Sequence, residues 1–483
     1  MKTIKNKVVY EENINNLPAK ALAIVFPESL QEIKTLVKLS DNDIIARGGG
    51  SSLTGATIPD NSIIVDFSKM NKIIDINPVK KTIKVEPGIL LSELNEELEQ
   101  YDLEFPIIPI FGGIETIGGM IAKNSLGNRE IKYNRMMNWI DSLEIINGKG
   151  EQIKISKSDI SDFVGLEGTT GLIISASLRL TNKKQRTLTI LKANSLEEVF
   201  IANKKLRLNM DISSIDLINR ELSSVLGLEN KYHLFVEYET NEGSFKLENY
   251  DKFIKIKNKT YKRAATEGFF LMENAKFLVD SLPDFFIFLE EKKIPYFAHL
   301  ASGVVYFMFK PDESQKREDA LKMAKRLRAK IAYASGTGLS YKQFLDIGEK
   351  DLIRRVKKRQ DPHGKFNMEK LLDSSFEGKP RALQEVKKEP EQIEESDISL
   401  EEAMNEKIIE ENNTPIQQKQ TKPESQMTIA ELIEQQNQQK ELKTQIKKPE
   451  SELSDEEREK IKKIAAGFFA GGRDSEDQKN NGT

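Results

Sequence analysis

The chain has 483 residues, which is enough for two or three domains. Of these residues, 38% are hydrophobic and 31% are charged. The formal net charge of −3 gives no reason to expect nucleic-acid binding. It contains no cysteine, which excludes disulfides, thiolate zinc sites, cysteine nucleophiles and an iron–sulfur cluster on this chain. No apolar run follows the N-terminal lysines or approaches the roughly 20 residues of a spanning helix, so we expect a soluble, cytoplasmic protein, with peripheral membrane association left open.

A glycine loop is the first informative element along the chain. It has the sequence Arg47-Gly48-Gly49-Gly50-Ser51-Ser52-Leu53-Thr54-Gly55 and lies between the apolar strands Ile44–Ile45 and Ile63–Phe67. Because glycine adopts positive φ without a Cβ penalty, successive amides can form an anion-binding nest, for which a diphosphate is the natural occupant. P-loops and Rossmann fingerprints run from strand into helix, so this strand–loop–strand order predicts a different nucleotide-binding fold.

Short strands and helices alternate over residues 20–180, which predicts an α+β fold. Strands are expected over Ala21–Phe26, Asp66–Ile76, Thr82–Glu86, Ser142–Ile146, Gln152–Ile155 and Leu172–Leu180, with helices over Ser29–Leu39 and Leu91–Tyr101. A plain hairpin at Asn147-Gly148-Lys149-Gly150 is sufficient to explain both of its glycines.

The rest of the chain predicts a second domain and a tail. Residues 181–330 indicate an antiparallel sheet with helices on one face, including helices near Leu196–Leu208 and Asn274–Lys292. Residues 331–373 indicate a C-terminal helical segment, in which the basic run Arg354–Arg359 is typical of a solvated helix face. Residues 374–483 are rich in Glu, Lys, Gln and Ser and predict disorder. Within them, 454–470 is a candidate docking helix for a protein partner, with a fluctuating helix as the alternative.

Two further glycine segments, Thr116–Gly127 and Gly165–Ile173, follow the first loop. With this order of motifs, the chain resembles the flavin-linked oxidase superfamily of the vanillyl-alcohol oxidase and p-cresol methylhydroxylase (PCMH) type. More narrowly, it is similar to the glycolate oxidase FAD subunit and the D-lactate dehydrogenases. The resemblance covers about residues 15–180 and returns at Arg354–Leu372, where Asp361–Asn367 matches the closing Asp-Pro-x-Gly-x-x-Asn motif.

The resemblance implies a two-subdomain PCMH-type FAD-binding domain over 1–180, an α+β substrate or cap domain over 181–330, and a return of 331–373 to the FAD domain. FAD would be non-covalent, because Ser51 stands where relatives with covalent flavin carry histidine. A diphosphate buried in apolar walls needs many backbone donors. The cofactor-binding residues that the resemblance implies are Arg47, Gly48, Gly49, Gly50, Ser51, Ser52 and Gly55 at the diphosphate, Gly118, Gly119, Asn124, Ser125 and Gly127 along the ribityl chain and ring, and Glu167, Gly168, Gly171 and Ile173 at the adenine half. Pro109 lies in a proline segment that the family places near the flavin, although a rigid loop explains it equally well.

The chain departs from the family at a second cluster of residues. The family's His-x-Gly-Asp-Gly-Asn-x-His segment, which supplies metal ligands, corresponds here to His299–Tyr306 and keeps only its first histidine and Gly303. The family's Glu-His-Gly-Ile-Gly segment has Ala334 and Ser335 in place of its acid and base. A divalent ion needs several converging N or O ligands, so we expect no metal site.

Three side chains remain as candidates for the chemistry. His299 is a candidate general base, because imidazole titrates near neutrality, and a buried structural histidine is the equal alternative. Tyr306 is a candidate acid or hydrogen-bond donor, with a core position as the alternative. Lys342 is a candidate for contact with a substrate carboxylate, with a solvated lysine as the alternative.

These observations favour an FAD-dependent dehydrogenase that transfers hydride from a small 2-hydroxy acid or related alcohol to flavin N5. Its electrons would pass to a separate acceptor, for which an iron–sulfur protein is the candidate. The main alternative is a non-catalytic or repurposed FAD-binding subunit of a redox complex. A reductase like the enolpyruvyl-glucosamine enzyme is disfavoured by the Asp361–Asn367 ending.

Overall fold

The computed structural model describes residues 2–3, 10, 19–109, 113–240, 260, 263–368 and 370–372. All of them belong to one compact unit, Met1–Pro390. The predicted disordered tail, 374–483, and its candidate docking helix lie outside the described residues. Within the part of the chain that is described, no helix is long and apolar enough to cross a membrane.

A small sheet holds the first glycine loop. Its strands are β1 (Lys2–Thr3), β2 (Lys20–Phe26), β3 (Ile44–Arg47) and β4 (Asp60–Asp66), in the order β1-β2-β4-β3. β4 pairs in parallel with both β2 and β3. Helix α1 (Leu30–Leu39) connects β2 to β3, and Ser29 caps it by accepting from the Glu32 amide, as the sequence predicts. The loop therefore begins at the end of β3 and returns through β4.

A five-stranded antiparallel sheet forms the second half of the N-terminal region. Its order is β5-β6-β10-β8-β9, and the elements of this half are β5 (Ile73–Asn77), β6 (Thr82–Val85), β7 (Leu103–Glu104), β8 (Ile140–Ile146), β9 (Gln152–Ser156), β10 (Leu172–Arg179), β11 (Thr181–Asn182), α2 (Leu91–Leu98), α3 (Ile117–Lys123) and α4 (Glu130–Tyr133). The single strand predicted over Asp66–Ile76 is wrong in its first half. Asp66 accepts from the Ser68 amide and caps a 3-10 turn over Phe67–Lys69, which delays the strand to Ile73.

A seven-stranded antiparallel sheet follows, as predicted, but its helices do not all lie on one face, because the helix over Arg220–Val225 packs with Ile218 and Phe235 on the face opposite Leu217. Its order is β12-β14-β13-β16-β17-β15-β18, and its strands are β12 (Thr187–Ala193), β13 (Ile212–Ile218), β14 (Tyr232–Tyr238), β15 (Leu271–Lys276), β16 (Tyr296–His299), β17 (Val304–Phe309) and β18 (Lys330–Ile331). The helices of this region are α5 (Leu196–Leu206), α6 (Arg220–Val225), α7 (Leu282–Glu291) and α8 (Ser314–Arg326). The helix predicted over Asn274–Lys292 is wrong at its start. Residues up to Lys276 pair with β17, and the helix begins only at Leu282, with Pro283 in its first turn.

The two faces of this sheet differ in chemistry because side chains alternate along each strand. One face is apolar: Leu217, Ala298 and Val305 pack in one core cluster with residues of α5, α7 and α8. The other face is mixed: Ile218, Phe235 and Met308 form an apolar cluster with α6, whereas Asp216 and His299 lie in its polar part, called the polar face below, and are buried without belonging to either cluster. The polar face turns toward the N-terminal region, where Asn128 donates to Ser214 of β13 over 3.0 Å.

The C-terminal segment returns to the first sheet through α9 (Gly338–Tyr341) and α10 (Ile347–Gln360). After α10, the Ile44 amide donates to the Lys365 carbonyl over 2.7 Å, so the turn that follows α10 lies against β3.

The structure departs from the predictions at two residues. Arg354, Arg355, Lys358 and Arg359 of the basic run are exposed, as predicted. Lys357, expected on a solvated helix face, is buried and donates to the Asp361 carboxylate and to the carbonyls of Thr169 and Phe366. Gly148 is more than a turn residue, because a Cβ there would lie 2.3 Å from Oδ1 of Asp361. Both residues hold the closing Asp-Pro-x-Gly turn against the hairpin.

Candidate active site

The first glycine loop presents backbone donors. Gly50 and Gly55 have φ of +66° and +83°, conformations that a side chain disfavours. Among the described residues, no acceptor pairs with the amides of Gly48–Ser52. Unpaired amides of consecutive residues in such a loop fit a phosphate group.

The guanidinium of Arg47 is already engaged inside the protein. It pairs with the Asp66 carboxylate at 3.2 Å and lies over the ring of Tyr10, with 4.2 Å between the guanidinium carbon and the ring centroid. Burial, followed by the charge of Asp66, raises the pKa of Tyr10 to about 12. The positive charge of Arg47 is therefore already paired with the Asp66 carboxylate, and the predicted contact of Arg47 with a diphosphate stays a prediction.

The glycines also let the first loop approach its neighbours. A Cβ on Gly49 would lie 1.7 Å from the Ile114 carbonyl oxygen, and one on Gly48 would lie 2.2 Å from Oγ1 of Thr116. On the other side, a Cβ on Gly338 would lie 2.2 Å from the Thr54 carbonyl oxygen. The structure thus brings the first loop against the second glycine segment and against α9.

Residues of the second glycine segment have partners within the protein. The amides of Gly118 and Gly119 donate to the Pro87 carbonyl and to Oγ1 of Thr116. Oδ1 of Asn124 accepts from the Met137 amide, and the Ser125 hydroxyl donates to Glu115. A Cβ on Gly127 would lie 2.6 Å from the Ile108 carbonyl oxygen, and Pro109 is buried. These contacts build the segment, and its role along the flavin stays a prediction.

The third glycine segment is tied to the C-terminal loop through Glu167. The carboxylate of this half-buried residue accepts from the amides of Thr337 and Gly338. Burial raises the pKa of Glu167, and these two amides oppose the rise. Of the other predicted residues, Gly168 has φ +73°, Gly171 packs on Ile145, and Ile173 is half-buried on β10.

Asn367 joins the first and third glycine segments, a contact that sequence reasoning missed. Its amide nitrogen donates to the carbonyls of Ala56 and Glu167 over 3.1 and 2.6 Å. The closing Asp-Pro-x-Gly-x-x-Asn motif was the available signal, since it implied that this segment returns to the FAD domain.

The polar face of the seven-stranded sheet carries a histidine–carboxylate pair. His299 and Asp216 face each other on neighbouring strands, with 2.6 Å between Nδ1 and Oδ1. Oδ2 of Asp216 accepts from Asn128 over 3.5 Å. Nε2 of His299 is buried and has no hydrogen-bond partner in the described structure. If Nδ1–H donates to Asp216, Nε2 carries the free lone pair of a proton acceptor.

Tyr306 lies beside this pair. Its ring stacks on Phe297 with 4.4 Å between centroids and meets the His299 ring edge-on at 5.4 Å. Burial, followed by the carboxylates of Glu130 and Asp216, raises the pKa of Tyr306 well above its ordinary value. Its phenol therefore stays protonated at neutral pH.

A second charged group occupies the same side of the sheet. The Lys276 ammonium lies 2.9 Å from Oε1 of Glu130 and 3.2 Å from the Tyr333 hydroxyl. The Tyr333 hydroxyl also donates to Oε1 of Glu130 over 2.8 Å, and the Arg135 guanidinium lies over the Tyr333 ring. Burial lowers the pKa of Lys276, but Glu130 outweighs burial and raises it, so the ammonium stays charged.

Asn274 holds the loop that corresponds to the family's acid–base segment. It donates to the Ser335 hydroxyl over 2.9 Å and accepts from the Ala334 amide over 2.7 Å. Within the ranges that the structure describes, no group of three or more His, Cys, Asp or Glu side chains could share a metal ion.

Lys342, in contrast, lies in the 3-10 turn that follows α9, and the Ser340 amide of α9 donates to the Thr54 carbonyl. The structure therefore places Lys342 next to an element that contacts the first glycine loop. Its predicted contact with a substrate stays a prediction.

Sequence reasoning missed Asp216, Asn128 and Lys276. The available signal was alternation: Asp216 and Lys276 are polar residues between apolar neighbours in strands. That pattern indicates a face that is not apolar core, but it does not show which polar residues become neighbours.

Comparison with known proteins agrees with this geometry. Residues 21–156 match the FAD binding domain family. The chain is 23% identical to the D-2-hydroxyglutarate dehydrogenase of Stutzerimonas stutzeri over 72% of this chain and 90% of the relative. It is 30% identical to the glycolate oxidase subunit GlcD of Bacillus subtilis over 35% of this chain and 39% of the relative. It is 32% identical to the mitochondrial D-lactate dehydrogenase of Arabidopsis thaliana over 34% of this chain and 31% of the relative.

A solved structure of alkyldihydroxyacetonephosphate synthase resembles the fold, with a TM-score of 0.58 and 16% identity over 73% of this chain and 77% of the other. The predicted fold class, the flavin-linked resemblance and the FAD cofactor are therefore confirmed.

Proposed function

We propose that this FAD-dependent oxidoreductase, which is related to the D-2-hydroxyglutarate and D-lactate dehydrogenases and to glycolate oxidase, oxidises a small 2-hydroxy acid or a related alcohol. The observation that carries the proposal is the buried His299–Asp216 pair with its unpartnered Nε2. Bound FAD supplies the hydride acceptor, at N5 of the flavin. The amides of Gly48–Ser52 are the groups available to hold its diphosphate.

In the proposed reaction, the C2–H hydride leaves the substrate while its hydroxyl proton passes to Nε2 of His299. The products are a 2-oxo acid, a reduced cofactor and an imidazolium. Asp216 holds the ring in the tautomer that leaves Nε2 free, and its negative charge stabilises the imidazolium. Asn128, which donates to Asp216, fixes the carboxylate, and Tyr306 places a protonated phenol beside the ring.

We also propose that a separate protein accepts the electrons. The chain has no cysteine, so a cysteine-ligated iron–sulfur cluster has to belong to a partner. An iron–sulfur protein is the proposed acceptor, and anaerobic reduction of the flavin by substrate can be followed without it.

The test is anaerobic mixing of FAD-loaded protein with D-lactate, glycolate or D-2-hydroxyglutarate while the flavin absorbance is followed. At least one of these acids should bleach the flavin. His299→Asn should slow the bleaching by about 10²- to 10⁴-fold, the usual contribution of a general base, and should leave FAD content unchanged.

His233→Asn is the matched control. His233 is also buried on this sheet, on β14, two strands away from the β16 strand of His299, but its Nδ1 lies 2.9 Å from the Ser223 hydroxyl and is used in packing. Equal bleaching rates for His299→Asn and His233→Asn would reject His299 as the base. If none of the acids bleaches the wild-type flavin, the alternative of a non-catalytic FAD-binding subunit in a redox complex replaces the proposal.

A further inference from the structure

The seven-stranded sheet ends in a long strand with an open edge. β12 (Thr187–Ala193) is the first strand in the order of this sheet, and among the residues that the structure describes it pairs only with β14. All seven of its residues are in register with β14, without a bulge along the strand. The outer row of backbone N–H and C=O groups of β12 is therefore available to a further strand.

The composition of β12 favours pairing at this edge. Its sequence is Thr-Leu-Thr-Ile-Leu-Lys-Ala, in which the only charged residue, Lys192, pairs with Glu229 at 2.6 Å. Edge strands are usually protected by charged side chains, bulges, proline or short length. The edge strand β5 of the five-stranded sheet has a register shift beside Asp75, and β18, at the opposite edge of the seven-stranded sheet, has only two residues. β12 has neither protection.

The exposed apolar side chains of β12 lie on both faces of the sheet. Ile190 is 41% exposed and shares its face with Leu188, which belongs to the apolar cluster around α6. Leu191 is 37% exposed and shares the opposite face with Ala193, which belongs to the core cluster with α5 and α7. A helix lying on one face would cover only one of the two exposed side chains. A strand added at the edge extends both faces and covers both.

β12 is complementary to a second copy of itself. A two-fold axis perpendicular to the sheet pairs two identical strands in antiparallel and keeps the equivalent faces of both sheets on the same side. All seven residues pair when the axis passes Ile190, the central residue of the strand. Ile190 then lies opposite Ile190 of the second copy, Thr189 opposite Leu191, and Leu188 opposite Lys192. The two Lys192 side chains lie at opposite ends of the junction, so no like charges face each other.

We propose that β12 forms the interface of a homodimer, in which two copies join edge to edge by antiparallel pairing of β12 about Ile190. Such a junction closes after two copies, because it occupies the open edge of each. The Asp216–His299 pair lies on β13 and β16, inside the sheet. Each copy therefore keeps its own site, and the inference is independent of the proposed function.

The first test is sedimentation velocity of the FAD-loaded, full-length protein at about 1 to 100 μM, which covers dissociation constants in the micromolar range. Wild type should form a dimer within this range. Ile190→Lys and Ile190→Glu each place like charges directly opposite each other, so each should weaken dimerisation by about 100-fold or more. An equimolar mixture of the two variants should form the dimer again, because opposite charges then face each other.

Ile74 provides the matched control for these substitutions. It is an isoleucine that is 50% exposed on β5, an edge strand of a different sheet. Ile74→Lys and Ile74→Glu should therefore dimerise like wild type, both alone and when mixed.

A cross-linking measurement avoids charged substitutions. The chain has no cysteine, so Ile190→Cys introduces a single thiol, which two-fold pairing places opposite the same thiol of the second copy. Directly opposite residues of antiparallel strands have Cβ atoms about 4.5–5.5 Å apart, close to the reach of a disulfide. Oxidation with copper phenanthroline should join Ile190→Cys into a covalent dimer on a non-reducing gel. Ile74→Cys should stay monomeric, and so should Lys192→Cys, whose two thiols would lie about 14 Å apart along the strands.

The outcomes decide between this dimer and other arrangements. A wild type that stays monomeric at every concentration overturns the proposal and leaves the edge of β12 to a different protein. Dimers that persist in both Ile190→Lys and Ile190→Glu also overturn it, because the interface then lies elsewhere. A dimer in the mixture but in neither variant alone supports it. If the charged variants do not retain FAD, cross-linking decides: equal cross-linking of Ile190→Cys and Ile74→Cys overturns the pairing.

Discussion

A buried ion pair between the N-terminal region and the seven-stranded sheet provides the sharpest test of the packing. Arg129 forms a two-pronged contact with Glu237 of β14, at 2.7 Å from Nε to Oε1 and 3.0 Å from Nη2 to Oε2. The exposed fractions of the two side chains are 4% and 0%. Ser213 also donates to this carboxylate. We expect Arg129→Met to destabilise the protein because it leaves the Glu237 charge buried without its main partner.

The expected size follows from the burial. Removing one partner of a buried ion pair costs about 3–5 kcal/mol, whereas replacing both partners by apolar side chains is often close to neutral. The double variant Arg129→Met/Glu237→Met should therefore be more stable than Arg129→Met alone. Lys183→Met is the control, because Lys183 pairs with Glu99 at the surface, with side chains 45% and 61% exposed, and such pairs contribute at most about 1 kcal/mol.

The assay is urea unfolding of the FAD-loaded protein at neutral pH, followed by circular dichroism, with the free energy of unfolding obtained for the four proteins under identical FAD concentration. A loss for Arg129→Met no larger than that for Lys183→Met would refute the reasoning, since it would mean that Glu237 keeps water or another cation in place of Arg129. A double variant less stable than Arg129→Met would refute the argument about desolvation.

Further predictions concern the glycine loop, the closing turn and the response to acid. Gly49→Ala should abolish FAD retention, because the added Cβ would overlap the Ile114 carbonyl oxygen. Retention is measured as the ratio of flavin to protein after gel filtration. The control Gly348→Ala should retain FAD, because its Cβ meets only the Asp346 side chain at 3.3 Å. Lys357→Met should destabilise the protein by about 3–5 kcal/mol in the same urea assay, and Lys358→Met, which removes the exposed neighbouring lysine, by less than about 0.5 kcal/mol. Burial raises the pKa of Glu237, but Arg129, Ser213 and Arg186 outweigh burial and hold this pKa at about 2. Since an unfolded glutamate titrates near pH 4.3, the stability that the Glu237 carboxylate contributes should be complete above about pH 4.3 and should be lost as the pH falls toward 2. Wild type should accordingly lose stability more steeply than Glu237→Gln over that pH interval in a series of urea titrations.

Local sequence signals predicted the elements around the proposed cofactor site. Ser29 and Glu32 predicted the start of α1, and the glycines after Ile45 predicted a loop with unpaired amides. The same signals were insufficient around Asn274, where an apolar pattern was interpreted as helix although the segment pairs as a strand with β17. Short apolar runs do not distinguish the two structures by themselves, and here the neighbouring strand decided.

The sequence pattern did not predict which charged side chains are buried. Lys357 belongs to a basic run that is typical of a solvated surface, yet the closing turn supplies it with the Asp361 carboxylate and the Phe366 carbonyl, and the third glycine segment supplies the Thr169 carbonyl. A lysine can be buried only where such acceptors converge. Two of those acceptors lie in the closing turn and the third is the carbonyl of Thr169, 188 positions away, so the basic run alone did not indicate them.

The sequence by itself determined the glycine loops and the helix caps, because these signals act over a few residues, and the resemblance carried by the order of its motifs indicated the flavin nucleotide. Only the tertiary structure decided which side chains form the proposed catalytic group. Asp216 and His299 are 83 positions apart, and their contact depends on the register of two strands in a seven-stranded sheet. That register results from the packing of the apolar face, since a shift of either strand by one residue would move its own side chain to the opposite face of the sheet.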